Sequence, residues 1–307
     1  MNTGLDQYMD IFKDAVEDSA AKITKSFEKI LIEVIILFMV IPRKINFTQM
    51  GRYGLHVEQT YRNAFGLKKS KCIDWLKLNV SLAKRFLGKQ GRWAIAIDPS
   101  YISKAGKKTP HIGRFWSGCA QSVKHGLEIM GIGLVDIDAK DCMMLRAHQS
   151  LSNKELSLRN KTMVDFYISV IKRYRKELLK LSTLIVEDAY FSTDTSLSGE
   201  EVLLYYRTRF QIEFCFRDAK GYTGLMDCQA RDKWKLDFAF NASFTSLNVA
   251  KVTMKEMGME YSMSSFKSLM TNIYLVKRIF KASGYTPNRT LISKIFKDLS
   301  CLQRIAA

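Results

Sequence analysis

The sequence predicts a mixed α/β fold in which a sheet is held between helical flanks, and three observations carry that expectation. Two short apolar runs each close on a carboxylate, WAIAID at 93–98 and TLIVED at 183–188. Between them, LEIMGIGLVDI (127–137) and CMMLRAH (142–148) have the texture of two further strands. Helical periodicity occupies the chain on both sides of this block.

From the N-terminus, Leu5, Tyr8, Met9, Phe12 and Val16 recur at helical spacing. A second run covers Phe27 to Val40, and Pro42 stops it, because proline has no backbone N–H to continue a helix. Further helices are expected at Leu55–Phe65 and Ile73–Leu87. The runs at 93–98, 127–137 and 142–148 read as a meander. A helical stretch follows from Lys154 to Leu181, with Lys and Arg on one side, and then the fourth strand. A single long helix is expected from Gly199–Glu201 to about Lys220, and helices again from Lys233 onward. The expected organisation is a helical region at 1–90, an α/β core at 91–230 and a helical region at 231–307. No internal repeat or low-complexity segment interrupts it. If the first and fourth strands lie side by side and parallel, Asp98 and Asp188 come together at their carboxyl ends, where ligand sites collect in open α/β sheets.

Charge narrows the function classes. Lys and Arg number 48 against 30 acidic residues, for a net charge of +18 and a pI near 9.6. Such a field attracts polyanions, either nucleic acid or an anionic membrane surface. The most apolar stretch, Ile30–Ile41, is interrupted by Glu33 and is short of the roughly 20 residues a span needs. The first helix carries Asp6, Asp10, Asp14, Glu17 and Asp18, where a secretory signal would be basic. Six cysteines without a CxxC pair and four scattered histidines argue against a zinc site or a disulfide framework. A cytoplasmic protein without a membrane partner is the expectation. The basic residues from Arg62 to Lys89, interleaved with Tyr61, Phe65 and Trp75, read equally as a solvated face or as a DNA-contacting one.

The chemistry is carried by carboxylates. Tyr206, Arg209, Glu213 and Lys220 fall within roughly 60° of arc on one helical face. Arg217 lies close to that stripe, and Phe210 and Phe214 on its flank are expected to anchor the helix to the sheet. Asp98 and Asp188 at adjacent strand ends, with Glu213 facing them, would form an oxygen-only pocket suited to Mg²⁺ or Mn²⁺. Two such ions about 4 Å apart serve phosphodiester displacement.

The segment Tyr206-x2-Arg209-x3-Glu213-x6-Lys220 resembles the Y-R-E-K signature of the IS4-type DDE transposases, with all three spacings intact. STDTSLSGEEVLLYYRTRFQIEFCFRDAKGYTGLMDCQARD around it, AIDPSYISKAGKKTPHIGRFWSGCAQSVKHGLEI around Asp98 and VEDAYF around Asp188 are similar to that family too. NFTQMGRYG near residue 50 shares the likeness more weakly. The resemblance implies an RNase H-like core, a Mg²⁺- or Mn²⁺-binding triad of Asp98, Asp188 and Glu213, and DNA-phosphate contacts from Tyr206, Arg209 and Lys220. It implies double-stranded DNA as partner, at transposon ends and target, and a homodimer assembled on that DNA. Lys104, Lys107 and Lys108 form a basic loop after Asp98 that reads equally as a DNA contact or as solvated. Trp116 and His125 read as core or loop residues.

One departure from the family is large. There, a helix, a fifth strand and a mostly β insertion domain separate the second aspartate from the glutamate. Here Asp188 and Glu213 are 25 residues apart, so the fifth strand and the insertion are expected to be missing and the fourth strand to form a sheet edge. The expected function is Mg²⁺-dependent strand cleavage and transfer, impaired by this deletion. The alternative is a non-catalytic DNA-binding remnant or inhibitor.

Overall fold

The computed structural model describes residues 4–19, 23–88, 91–186 and 198–284, with the isolated positions 288 and 294. Its N-terminal region contains α1 (Gly4–Asp18), α2 (Lys25–Val40), α3 (Phe47–Tyr53), α4 (Glu58–Ala64), α5 (Leu67–Ser70) and α6 (Trp75–Leu87). Leu5, Tyr8, Phe12 and Val16 line the buried face of α1 as their spacing requires. The chain leaves α2 at Ile41, before Pro42, since a residue preceding proline is driven out of the helical region. Glu33, the charge inside the apolar run, accepts hydrogen bonds from the Tyr61 hydroxyl (2.7 Å) and the Leu55 amide (2.5 Å) and pairs with His56 (2.7 Å). The expected helix at Leu55–Phe65 shortens to α4, with Leu55 and Val57 in solvent; α3 was not anticipated.

The strands are β1 (Trp93–Ser103), β2 (Gly113–Ser117), β3 (Ser122–Asp136), β4 (Asp141–Gln149) and β5 (Ile185–Val186). β1 and β4 each pair antiparallel with β3, and β5 pairs parallel with β1. β2, which the sequence reading missed, forms an antiparallel ribbon with the start of β3. The meander is therefore present, β5 is a sheet edge among the described residues, and an open mixed sheet with flanking helices is the observed class. The single helical stretch at 154–181 divides into α7 (Asn153–Ser157) and α8 (Met163–Leu178). The long helix also divides, into α9 (Gly199–Arg209) and α10 (Gln211–Tyr222), because the backbone tightens to i,i+3 hydrogen bonds around Phe210. α11 (Lys233–Glu256) and α12 (Met263–Ser283) complete the chain.

Two helices cover opposite faces of the sheet. Gly131 and Gly133 of β3 face α10, where an added Cβ would come within 2.6 Å of Phe216 and 3.2 Å of Ile212. Glu128, on the other face by strand alternation, accepts a hydrogen bond from Tyr167 of α8 (2.7 Å), and His148 meets Tyr174 (2.9 Å). α11 is buried nearly all round and packs on α6, α10 and β4, so residues from all three segments of the chain share one apolar core. Its polar side chains are used. Asn248 exchanges hydrogen bonds with the Met144 amide (3.3 Å) and carbonyl (2.6 Å), and Asn241 with those of Ala147 (2.9 and 3.2 Å). Asn79 of α6 donates to the Leu145 carbonyl (3.2 Å) and accepts from Asn248 (2.8 Å). These amides stand where a neighbouring strand would pair, so the outer edge of β4 keeps its backbone partners. No helix among the described residues is long and apolar enough to cross a membrane.

Candidate carboxylate site

Asp98 lies in the middle of β1, not at its end, since five more residues pair with β3 beyond it; the parallel contact with β5 involves Ile95 and Ala96. Directly opposite Asp98 on β3 is Gly131, so the two share the face that α10 covers. With no side chain there, Phe216 settles onto the strand and brings α10 close to Asp98. Ile212, Cys215, Phe216 and Ala219 form the buried side of α10. Phe210 and Phe214, expected to anchor it, are instead exposed. Each lies beneath a guanidinium, Arg209 over Phe210 (5.1 Å) and Arg217 over Phe214 (4.9 Å), so they serve cations and not the core.

Arg209 joins the site together. Its guanidinium side chain is 4% exposed, donates from Nη1 to Asp98 Oδ1 at 2.7 Å and from Nη2 to Glu213 Oε1 at 3.2 Å, and stacks near Tyr206 (5.6 Å). The Asp98 side chain is 12% exposed and that of Glu213 46%. One carboxylate from a strand and one from a helix, far apart in sequence, thus converge on one buried cation. Lys220, one helical face further along, donates to the Ser100 hydroxyl at 2.8 Å. Ser100 is two residues beyond Asp98 and so on the same face. Burial pushes the Lys220 ammonium below its usual range, with Asp98 acting in the opposite sense. An anion arriving beside it would relieve that cost.

The remaining sequence-identified residues separate. Lys104 turns inward to the Cys228 carbonyl, and burial pushes its ammonium down. Lys107 and Lys108 are exposed in the loop. Arg217 pairs with the buried Asp218 (3.0 Å), which also accepts from Tyr261 (2.5 Å), so it stands apart from the carboxylates. Asp188 lies outside the described residues. Among the described residues no group of three or more Asp, Glu, His or Cys could hold a metal ion.

Sequence reasoning missed two contributors to this site and misplaced one residue outside it. Ser100 gives Lys220 its partner. Gly131 was legible in principle, because a glycine inside an apolar strand marks a close approach of another element. Trp116, read as core or loop, lies on β2 and is 60% exposed, with His125 exposed across the ribbon.

No protein-family model, no curated protein and no solved structure matches the chain.

Proposed function

We propose that the chain is a metal-dependent DNA strand-cleaving and strand-joining enzyme of the IS4-type DDE transposase kind, built on an RNase H-like core. The observation that carries this is the convergence of Asp98 and Glu213 on the buried Arg209. Pairing supports it as well. Ile95 opposes Ile185 and Ala96 opposes Val186, an offset of 90 residues, and the same offset separates Asp98 from Asp188 in the sequence.

The donors present fit a hard divalent cation. Asp98 and Glu213 offer carboxylate oxygens only, and the cationic group they now share is a permanent positive charge at the place where their charges meet. Asp98, Asp188 and Glu213 are the residues that would hold Mg²⁺ or Mn²⁺, which when bound would activate the attacking oxygen and stabilise the departing one. The chain's own groups do the positioning. Arg209 is placed to exchange a carboxylate oxygen for a phosphate oxygen, which a guanidinium grips bidentately. Lys220 supplies a point charge beside Ser100, and Tyr206 backs Arg209 with its ring. Lys107 and Lys108 extend the basic surface toward double-stranded DNA, whereas Lys104 is engaged inside the fold. A homodimer on DNA belongs to the same reading.

The second reading, a non-catalytic DNA-binding remnant, is favoured by one observation, the 25 residues between Asp188 and Glu213. The experiment that separates the two is a plasmid-nicking assay on DNA carrying the sequences that flank the reading frame. Nicking that needs Mg²⁺ or Mn²⁺ and is lost in Asp98→Ala supports the enzyme. Salt-sensitive DNA binding without nicking supports the remnant.

A further inference from the structure

Between Pro99 and Leu127 the chain contains no Asp or Glu, while Lys104, Lys107, Lys108, Arg114 and Lys124 all fall there. The centre of this segment is the β2–β3 ribbon. Its register sets Arg114 opposite His125 and Trp116 opposite Val123, so all four share one face. Phe115 and Ser117, on the other face of β2, are buried. The outward face therefore presents one large aromatic side chain flanked by cationic and titratable groups. A protein-binding patch would need a broader apolar area than a tryptophan and a valine supply. A polyanion that carries flat rings matches both features, with its phosphates meeting the cations and a ring meeting Trp116.

We infer that the outer face of the β2–β3 ribbon binds single-stranded or frayed DNA, with Trp116 stacking on an unpaired base. The occupant is unpaired because bases inside a duplex have both faces covered by their neighbours, leaving no surface for the indole. β3 connects this face to the carboxylates: Val123 and Gly131 are on one continuous strand, about 27 Å apart at the usual rise per residue. A strand held at Trp116 would run along β3 over that distance to reach Asp98. The inference rests on DNA being the substrate of that site, and it deepens that reading by naming the unpaired strand beside the cut as the part the ribbon recognises.

The test uses the full chain with an oligo(dT) single strand and a blunt duplex of equal length, following binding by anisotropy and by tryptophan fluorescence. Trp116 is the most exposed indole, Trp75 is buried and Trp93 and Trp234 are half-buried, so the part of the quenching by oligo(dT) that is lost in Trp116→Phe reports on the ribbon. Trp116→Ala is expected to weaken oligo(dT) binding roughly tenfold or more, the loss of one stacked base, while Trp116→Phe keeps part of it. Duplex affinity should change little in either variant. Arg114→Ala should lower the salt dependence of single-strand binding by about 0.7 in log–log slope, whereas Lys124→Ala, opposite Phe115 on the other face, should lower it less. Unchanged oligo(dT) affinity in Trp116→Ala, equal losses for duplex and single strand, or no binding of oligo(dT) at all would overturn the inference. Metal-dependent nicking alongside Trp116-independent binding sinks the ribbon proposal alone. Trp116-dependent binding without nicking leaves the ribbon standing and sinks the enzyme.

Discussion

At one edge of the sheet β4 runs nine residues with outer backbone groups paired to asparagine side chains, whereas at the other β5 has two residues among those described, one of which is 40% exposed. The asparagines come from α6 and α11, so the β4 edge is tied to the most deeply buried helix of the molecule. Among the described residues, the β5 edge packs chiefly on β1 and α9. Both edges border the same sheet, and the β5 edge adjoins β1, the strand that carries Asp98. Local opening is cheapest where few buried contacts hold a segment, and binding sites are drawn from such regions. The carboxylate site thus leans on a rigid wall, made where α10 packs against Gly131.

The largest effect should come from the rigid edge. Asn248→Ala leaves the Met144 amide and carbonyl and the Asn79 amide oxygen without partners inside the core, at an expected cost of about 4 kcal/mol. Urea unfolding checks it, and a loss near zero would mean that β4 is not held by its side-chain amides. At the site, Arg209→Gln removes the guanidinium that donates to Asp98 and Glu213 and should cost about 3 kcal/mol. Thermal unfolding with and without Mn²⁺ sharpens this: the ion should recover part of the loss in the variant, and no recovery would count against a cation site there.

A third perturbation concerns the far end of α10. Lys267 of α12 donates to the Tyr222 carbonyl, and burial pushes its ammonium down to about 8. The folded chain therefore releases this proton near pH 8 while the unfolded chain keeps it to about pH 10.4. Between those values the unfolded state binds more protons, so this residue's contribution to stability rises with pH, by about 3 kcal/mol. Lys267→Met should flatten that rise in a pH series of unfolding curves; an unchanged slope would show that the ammonium is better solvated than its surroundings suggest. The smallest effect is expected at the light edge. Ile185→Thr should alter stability by less than about 0.5 kcal/mol, since the side chain is already partly in solvent. A large loss there would erase the contrast between the two edges.

Much of the architecture was legible because periodicity reports burial directly. Leu5, Tyr8, Phe12 and Val16 announced α1, and the apolar runs announced β1, β3 and β4. β2 escaped because GRFWS is five residues long and pairs along one side only. The division at Phe210 escaped because no proline or glycine marks it. At the site, the Tyr206–Lys220 spacing identified residues that do gather near Asp98, with Arg209 at their centre. The assignment of Phe210 and Phe214 to the core failed for a physical reason: an aromatic ring satisfies itself equally against a guanidinium or against a sheet, and only the tertiary fold selects between them. Lys104 shows the converse, a lysine in a basic loop whose ammonium is claimed by a carbonyl more than a hundred residues away.

The asparagine clasp on β4 also orders events in time. Residues 142–149 leave the ribosome about a hundred residues before Asn241 and Asn248, and the amides that close the edge cannot act until those two have been made. During that interval the nascent chain carries an unclosed strand able to pair with any extended segment nearby, its own or another chain's. Folding yield should therefore depend on how quickly α11 is synthesised and docked, so slow codons just upstream of Asn241 would favour aggregation.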